Sequence, residues 1–424
     1  MSAGLVRPGH PLPTDALGDL GDSLGTLCDL VLASMQRSDQ RAKGELYARG
    51  LLLTEGTKSM RNIALHLGPE ARGQSMHHFI SSSTWDWRPV REALARHLER
   101  VLAPPAWVLR PMVVRKDGEH SVGVTRRVDP DSGRIVNSQR AYGLWAASRQ
   151  LSVPFNWSLH LPADWLEDRV RRNRAKIPER WGTITPGQCA GRVLTEVLDG
   201  WGLTARPVVL ELGSEESAAV MTACSATGVP FLARIPGGTP LSGADPTLPD
   251  RSGQEITAQQ LLGGVAARTL RRPVQWWDPV EETARTTLAA AVQVRLPRGR
   301  GPDRPPARPR PATLPGPYRP SRPGPQPGSP RTLTLLGEWS DIRSWPTEFW
   351  LTDLTGPPGR LLRLAKLARR VDRDFAEVGE QVGLAEFKGR SFEGWHRHAT
   401  LASVAHAVRA LAATAGAYAL EPSA

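Results

Sequence analysis

The feature that most constrains the fold is a change of pattern at residue 106. Up to there the chain reads as helical; from there WVLRPMVV, a β-rich apolar run, opens a different architecture. HSVGVTRRV and RIVNSQRAYGLWAA flank the turn sequence DPDSG, a hairpin signal. A helix containing TEVLDGW follows, then the buried strand PVVLEL, another helical stretch and the strand PFLARI. Strand, hairpin, helix, strand and helix in that order specify a mixed α/β fold.

Residues 1 to 104 form an N-terminal helical domain suited to DNA binding. Leu20, Leu24, Leu27, Leu30, Val31 and Met35 recur at three and four residues and predict one apolar stripe. KSMRNIALHLG ends at Gly68, and WRPVREALARHLERVL stops before Pro104 and Pro105. Residues 298–331 are rich in Pro, Gly and Arg, with no apolar pattern to bury, which predicts a polyproline-like loop that is either a solvated linker or a contact to DNA backbone. Beyond it, PGRLLRLAKLARRVDRDFAEVGEQVG predicts a long helix over 358–382 with Leu364, Leu367, Val371, Phe375 and Val378 on one face. HATLASVAHAVRALAATAG predicts a last helix.

The balance of 54 Lys+Arg against 42 Asp+Glu, a net charge of +12, points to a polyanionic partner; Arg-rich usage in a GC-rich genome would give part of the same surplus. Cys28, Cys189 and Cys224 are too sparse for a metal clip and read as reduced thiols of a cytoplasmic protein. No apolar run is long enough to span a membrane, no signal peptide is evident, and Walker-type, GxSxG and strand-linked GxGxxG motifs do not occur.

Several motifs in order resemble the DDE-class transposases of the insertion-sequence family numbered seven-oh-one. They are YARGLLL and KSMRNIA, QSMHHFISSSTWD, KDGEHSVGVTRRV, NSQRAYGLWAA, PFNWSLHLPADWLEDRVRRNRAKIPE, FWLTDL, LLRLAKLARR and VGLAEFKGRSFEGWHRHATL, from about residue 47 to residue 407. The resemblance implies an RNase H-like mixed sheet with flanking helices. It places the first part of that domain at 105–234, a β-rich insertion at 235–345 and the C-terminal helical part at 346–424. DNA is the implied partner, with a homodimer as the assembly.

DDE chemistry uses three carboxylates to hold two divalent cations about 3.5–4 Å apart. The family's first acidic pair falls here on Arg110 and Pro111, neither of which ligates a metal. Asp117, seven residues on, lies about 20 Å away along a strand. The second acid falls on Glu211, one methylene longer than the family's Asp, and the third on Asp372, one methylene shorter than its Glu. Phe375 keeps a family aromatic, and Gly379 stands where a basic residue is expected. Formal charge at the three positions is therefore −1 instead of −3, too little to neutralise two cations. The family's basic helix implies DNA contacts from Arg369, Arg370 and Arg373, with Lys116 beside the first strand.

This reading expects a transposase-like DNA-binding protein that has lost strand cleavage, with no cofactor and no metal site. A working transposase using Glu211, Asp372 and an unplaced third acid, with Mg²⁺, is the first rival; a cleft recruited for a small-molecule reaction is the second. His396 and His398 read as structural, and Trp145, Trp157, Trp165, Trp276, Trp277 and Trp350 as core or contact residues.

Overall fold

Helix-period sequence gives five helices before the first strand: α1 (Thr14–Val31), α2 (Ser38–Leu53), α3 (Met60–Leu67), α4 (Gly73–Ser81) and α5 (Trp87–Leu102). The structure, a computed structural model, describes residues 14–68, 73–128, 133–248, 254–264, 268–297, 332–341 and 345–419. The stretch 298–331, with its expected loop, lies outside the described residues. Two compact units are present: residues 1–234 with 275–286 and 362–424, and residues 235–274 with 287–361.

Local chemistry sets the helix ends. Ser59 caps α3 by accepting from Asn62 N, and Gly68 ends it at φ 78°, a conformation glycine adopts without strain. Asp86 caps α5 by accepting from Arg88 N. Leu20, Leu24, Leu27, Val31 and Met35 are buried as the spacing predicts, but Leu30 is 41% exposed. It sits one step of about 100° from Val31 around the helix and so leaves the stripe.

In the first unit, β1 (Ala106–Arg115) is central. β3 (Ile135–Ala147) pairs antiparallel with it over Ser138–Ala147, and β5 (Val208–Leu210) pairs parallel with it on the other edge. The far edge of β3 takes β2 (Thr125–Val128) along its first residues and β4 (Ser152–Leu159) along its last. The hairpin signal is thus met by Val128 opposite Ile135; turn residues 129–132 lie outside the described residues. β6 (Phe231–Ile235) adds parallel to β5. The order β4-β3-β1-β5-β6, three strands antiparallel and the last two parallel to the first, is the mixed sheet of an RNase H-like fold. Between β4 and β5 run α6 (Ala163–Glu167), α7 (Arg169–Arg174) and α8 (Pro186–Gly200), the last started by a capping box between Thr185 and Gln188. α9 (Ser214–Thr227) joins β5 to β6.

The closing helix, Phe392–Ala419, packs against β4 on one side and α1, α2, α4 and α5 on the other. It is buried almost all round from Phe392 to Val408, as a helix with no polar face must be. Several of its polar side chains are paired across the core. Arg397 donates from Nε to Trp85 O at 3.1 Å and from Nη1 to Ile80 O at 3.2 Å. Ser403 Oγ accepts from Trp157 Nε1 at 2.9 Å. Four of the N-terminal helices, α1, α2, α4 and α5, therefore share one core with the sheet.

The second unit holds β7 (Pro240–Gly243), β8 (Glu255–Thr257), α10 (Ala258–Gly263), the start of β9 (Arg272–Asp278), most of β10 (Thr283–Arg295), β11 (Thr332–Trp339) and β12 (Glu348–Thr352). Its strands run β12-β11-β10-β7-β8, all antiparallel. β11 is buried from Leu333 to Trp339, and Leu262 of α10 packs against Gly337, where a Cβ would meet its methyl at about 2.4 Å.

Candidate functional site

β1 sets the centre of the candidate site. Trp107 N donates to Pro207 O at 2.9 Å and Glu211 N to Leu109 O at 3.0 Å, so the odd-numbered residues of β1 turn their backbone groups toward β5. That ladder ends at Leu109 opposite Leu210. The missing N–H of Pro111 therefore falls on an edge where pairing has stopped, and a proline is tolerated inside a central strand. Continuing the same register by one residue sets Arg110 beside Glu211.

The third position comes from the late helix. The sequence predicts one helix over 358–382; the structure breaks it into Pro358–Ala365 and Leu367–Asp374, followed by a π-turn at Phe375–Gly379. Leu367 and Val371 are buried as expected, whereas Leu364 is only half-buried because the break at Lys366 shifts the phase of the apolar face. The Leu367–Asp374 segment packs on β1 and β3 and carries Asp372 to the guanidinium of Arg110, with Nη1 2.9 Å from Oδ1. The Arg110 guanidinium also lies over the Phe375 ring, 4.8 Å from its centroid. Glu211 Oε2 is 3.4 Å from Arg234 Nη1. Residues 110, 211 and 372 thus converge, and a cation stands among them as part of the chain. Burial pulls the Arg110 guanidinium below its ordinary value, while Asp372 and then Glu211 hold it up. An arginine with two carboxylates beside it stays charged at any working pH.

Sequence reading missed Asp374. It lies two residues past Asp372, about 200° around the helix, and so faces inward. It is 2% exposed and accepts from Ser152 N at 2.6 Å, Ser152 Oγ at 2.8 Å and Arg370 Nε at 3.0 Å. Burial raises its carboxyl above the usual carboxylate range. The only signal in the sequence was the Asp-Arg-Asp spacing, which separates an exposed carboxylate from a buried one.

The basic residues named as DNA contacts already hold partners. Arg369 Nη2 bonds both carboxylate oxygens of buried Asp278, at 3.2 and 2.9 Å. Arg370 is tied to Asp374. Arg373 reaches Glu282 at 2.5 Å, Glu377 at 2.9 Å and Pro279 O. Lys116 Nζ donates to Phe387 O at 2.8 Å, and burial brings its ammonium down to about 8. A one-dimensional charge pattern could not show Asp278 and Glu282, which come from 91 positions away in sequence.

A second polar cluster lies on α9. Glu216 Oε1 accepts from Arg140 Nη1 at 2.6 Å and Tyr142 Oη at 2.7 Å, while Oε2 accepts from Gly213 N at 2.8 Å. Every carboxylate bond goes to a strand or to its own helix start, which makes it a clamp between α9 and β3. His398 is equally structural: Nε2 donates to Gly383 O at 2.9 Å and Nδ1 accepts from Tyr47 Oη at 2.8 Å, and burial brings its imidazole down to about 4. Among the described residues no three His, Cys, Asp or Glu side chains converge as a metal site, and no helix is long and apolar enough to cross a membrane. Trp145, Trp157, Trp165, Trp276 and Trp350 are buried, and Trp277 is 39% exposed. All three cysteines are buried, with burial raising the thiols of Cys28 to about 12 and Cys189 to about 11.

The family described as DDE superfamily endonuclease matches residues 30–302, more than half of the chain, taking in Arg110 and Glu211 and ending before Asp372. No curated protein matches the sequence. The sheet order, the position of β1 and β5 and the length of the match agree, and the chain belongs to the DDE superfamily endonucleases, transposase-like nucleases that act on DNA.

Proposed function

We propose that this protein is a transposase-derived DNA-binding protein, of the seven-oh-one insertion-sequence type, that no longer cuts or joins DNA strands. One observation carries the reading: the Arg110 guanidinium lies 2.9 Å from Asp372 and beside Glu211 at the three aligned positions. Two divalent cations need converging anionic oxygens. Two carboxylates with a fixed positive charge between them are a donor set that does not fit such a pair, and Pro111 brings no side-chain oxygen. Glu211 and Asp372 are, in this reading, the remnants of the catalytic set, held by Arg110 and Arg234 instead of ions.

DNA binding then rests on the net charge of +12 and on phosphate neutralisation. Arg369, Arg370, Arg373 and Lys116 contribute there only as the outer members of the pairs that already hold them. A second copy of the chain would serve symmetric DNA ends.

The test uses purified protein with Mg²⁺ or Mn²⁺ and DNA carrying candidate transposon ends. No nicking or joining is expected, together with a mobility shift that weakens steeply with salt. Metal-dependent cleavage abolished by Glu211→Ala would refute the proposal and establish the working transposase; absence of any shift at low salt would refute the DNA role.

A further inference from the structure

At the start of α5, bordered by the turn near residue 181, α8 and the closing helix, lies a cavity of about 230 Å³ within the first unit. Tryptophan rings of Trp87 and Trp181 form part of its wall, and Arg88, Arg180 and Arg192 line it as well. None of these belongs to the centre around Arg110.

His396 gives the cavity its polarity. Arg91 Nη2 lies 3.2 Å from His396 Nδ1, and a guanidinium can only donate, so Nδ1 is the acceptor. Burial, then Arg91 and the neighbouring arginines, push the imidazole well below its ordinary value, so the ring is neutral and its one proton is on Nε2. That N–H is buried and meets no partner among the described residues; the same holds for the indole N–H of Trp181. Buried donors without acceptors are rare in folded proteins and call for a ligand or solvent to complete them.

The remaining groups agree on the ligand. Arg192 stacks on the Trp181 ring at 4.4 Å from its centroid, and Arg88 lies 5.7 Å from that of Trp87. The lining carboxylate, Glu196, already accepts from Asn156 Nδ2 at 3.2 Å. Donors and cations therefore outnumber acceptors, and the walls are flat and aromatic. An inorganic anion is too small to fill about 230 Å³, and an uncharged heterocycle would leave the guanidinium groups without a counter-charge. A ring system with carbonyl or ring-nitrogen acceptors, joined to a phosphate, satisfies both.

We propose that this cavity binds one phosphorylated nucleoside unit, its base against the tryptophan wall and its phosphate on the arginines. Bases of any identity stack on indole, and arginine pairs with phosphate oxygens, so the site is selective for the class more than for the letter. The unit can be a free mononucleotide or a nucleotide of a DNA strand; the chemistry is shared. The inference does not rest on whether the Arg110 centre cleaves DNA.

The full-length protein is titrated with deoxyadenosine 5′-monophosphate, with deoxyadenosine, and with a 5′-phosphorylated single-stranded oligonucleotide, by calorimetry. Saturable binding of the monophosphate, about tenfold or more tighter than the nucleoside, is expected. Trp181→Ala and Arg192→Ala, at partly exposed positions that leave the core intact, each weaken it about tenfold, the loss of one stacking or phosphate-binding group. His396→Gln, which keeps an N–H, is the milder companion to His396→Ala should the latter fail to fold. Binding of the oligonucleotide alone, lost in the same variants, assigns the strand as the source. Failure of both phosphorylated ligands to saturate, equal affinity for the nucleoside, or wild-type affinity in Trp181→Ala and Arg192→Ala overturns the proposal.

Discussion

Replacing Arg110 by Asp should make the protein's stability depend on divalent metal, which the wild-type chain should not show. The substitution removes an ion pair whose partner Asp372 is 57% exposed, so solvent screening limits its worth to about 0–1 kcal/mol. It also removes the contact with Phe375, about 0.5–1 kcal/mol for a part-buried cation over a ring. In return it puts a third carboxylate beside Glu211 and Asp372; repulsion at an effective dielectric near 20 adds up to about 4 kcal/mol for charges ~4 Å apart. A total loss of about 2–5 kcal/mol lowers the melting temperature of a domain this size by roughly 5–15 °C. Metal at about a hundred times its dissociation constant returns about 2.7 kcal/mol. Thermal melts of both proteins, with and without millimolar Mg²⁺ or Mn²⁺, read the effect directly. A wild-type melting temperature that climbs several degrees with metal would show that ions already bind with Arg110 in place, and the reasoning would fail. So would an Arg110→Asp protein that is destabilised but indifferent to metal.

Lys58 is buried, and desolvation brings its ammonium down to about 8. The unfolded chain keeps that proton to about 10.4, so between those values the unfolded state binds more protons and stability rises with pH, by about 1–3 kcal/mol. Lys58→Met should flatten that slope in denaturant titrations run from pH 7.5 to about 10; an unchanged slope would remove Lys58 as its source, leaving Lys116, whose ammonium is lowered in the same way. Gly143 sits on β3 where a Cβ would come 2.5 Å from the buried Trp157 ring, which has no room to retreat. Gly143→Ala should cost about 1–3 kcal/mol by overpacking, read as a lower denaturation midpoint at unchanged slope.

How much was legible follows from which forces act locally. The sheet was readable because β1, β3, β5 and β6 are each marked by a β-rich apolar run, and because the turn near Gly133 fixes the hairpin. The convergence of residues 110, 211 and 372 follows from element order, since a central strand, its parallel neighbour and a late helix laid on the sheet have little choice of where to meet. The partners of the basic residues were not readable. Asp278 and Glu282 lie far from Arg369 and Arg373 in sequence, and only packing brings them to 2.9 and 2.5 Å. The cavity beside His396 was hidden for the same reason: Trp87, Trp181 and Arg192 are scattered over about a hundred residues that read as core or surface singly. Even the long helix, periodic as it is, concealed the break at Lys366 and the π-turn that follows, because a mid-helix shift of one residue leaves the composition untouched.

The arginine at 110 has consequences for the acid opposite it. A guanidinium on a long stem reaches across from β1 and meets Asp372 at 2.9 Å while resting on Phe375. A glutamate at 372, one methylene longer, would have to fold away from that guanidinium or push it off the ring. With an aspartate at 110 the gap widens, and the longer acid becomes the better reach toward a shared ion. The two positions should therefore be coupled with a sign that depends on metal. In the wild-type background Asp372→Glu is expected to lower stability by about 0.5–1 kcal/mol, the size of the contacts it disturbs. In the Arg110→Asp background with Mn²⁺ the same change is expected to raise the metal-dependent part of the melting temperature, and Glu211→Asp added to it should raise it further. A double-mutant cycle measured by thermal melts with and without Mn²⁺ gives the coupling directly. Additive effects, with Asp372→Glu equally neutral or equally harmful in both backgrounds, would mean that residues 110 and 372 are a surface ion pair and nothing more, and the proposed descent of this centre from a metal site would lose its physical support.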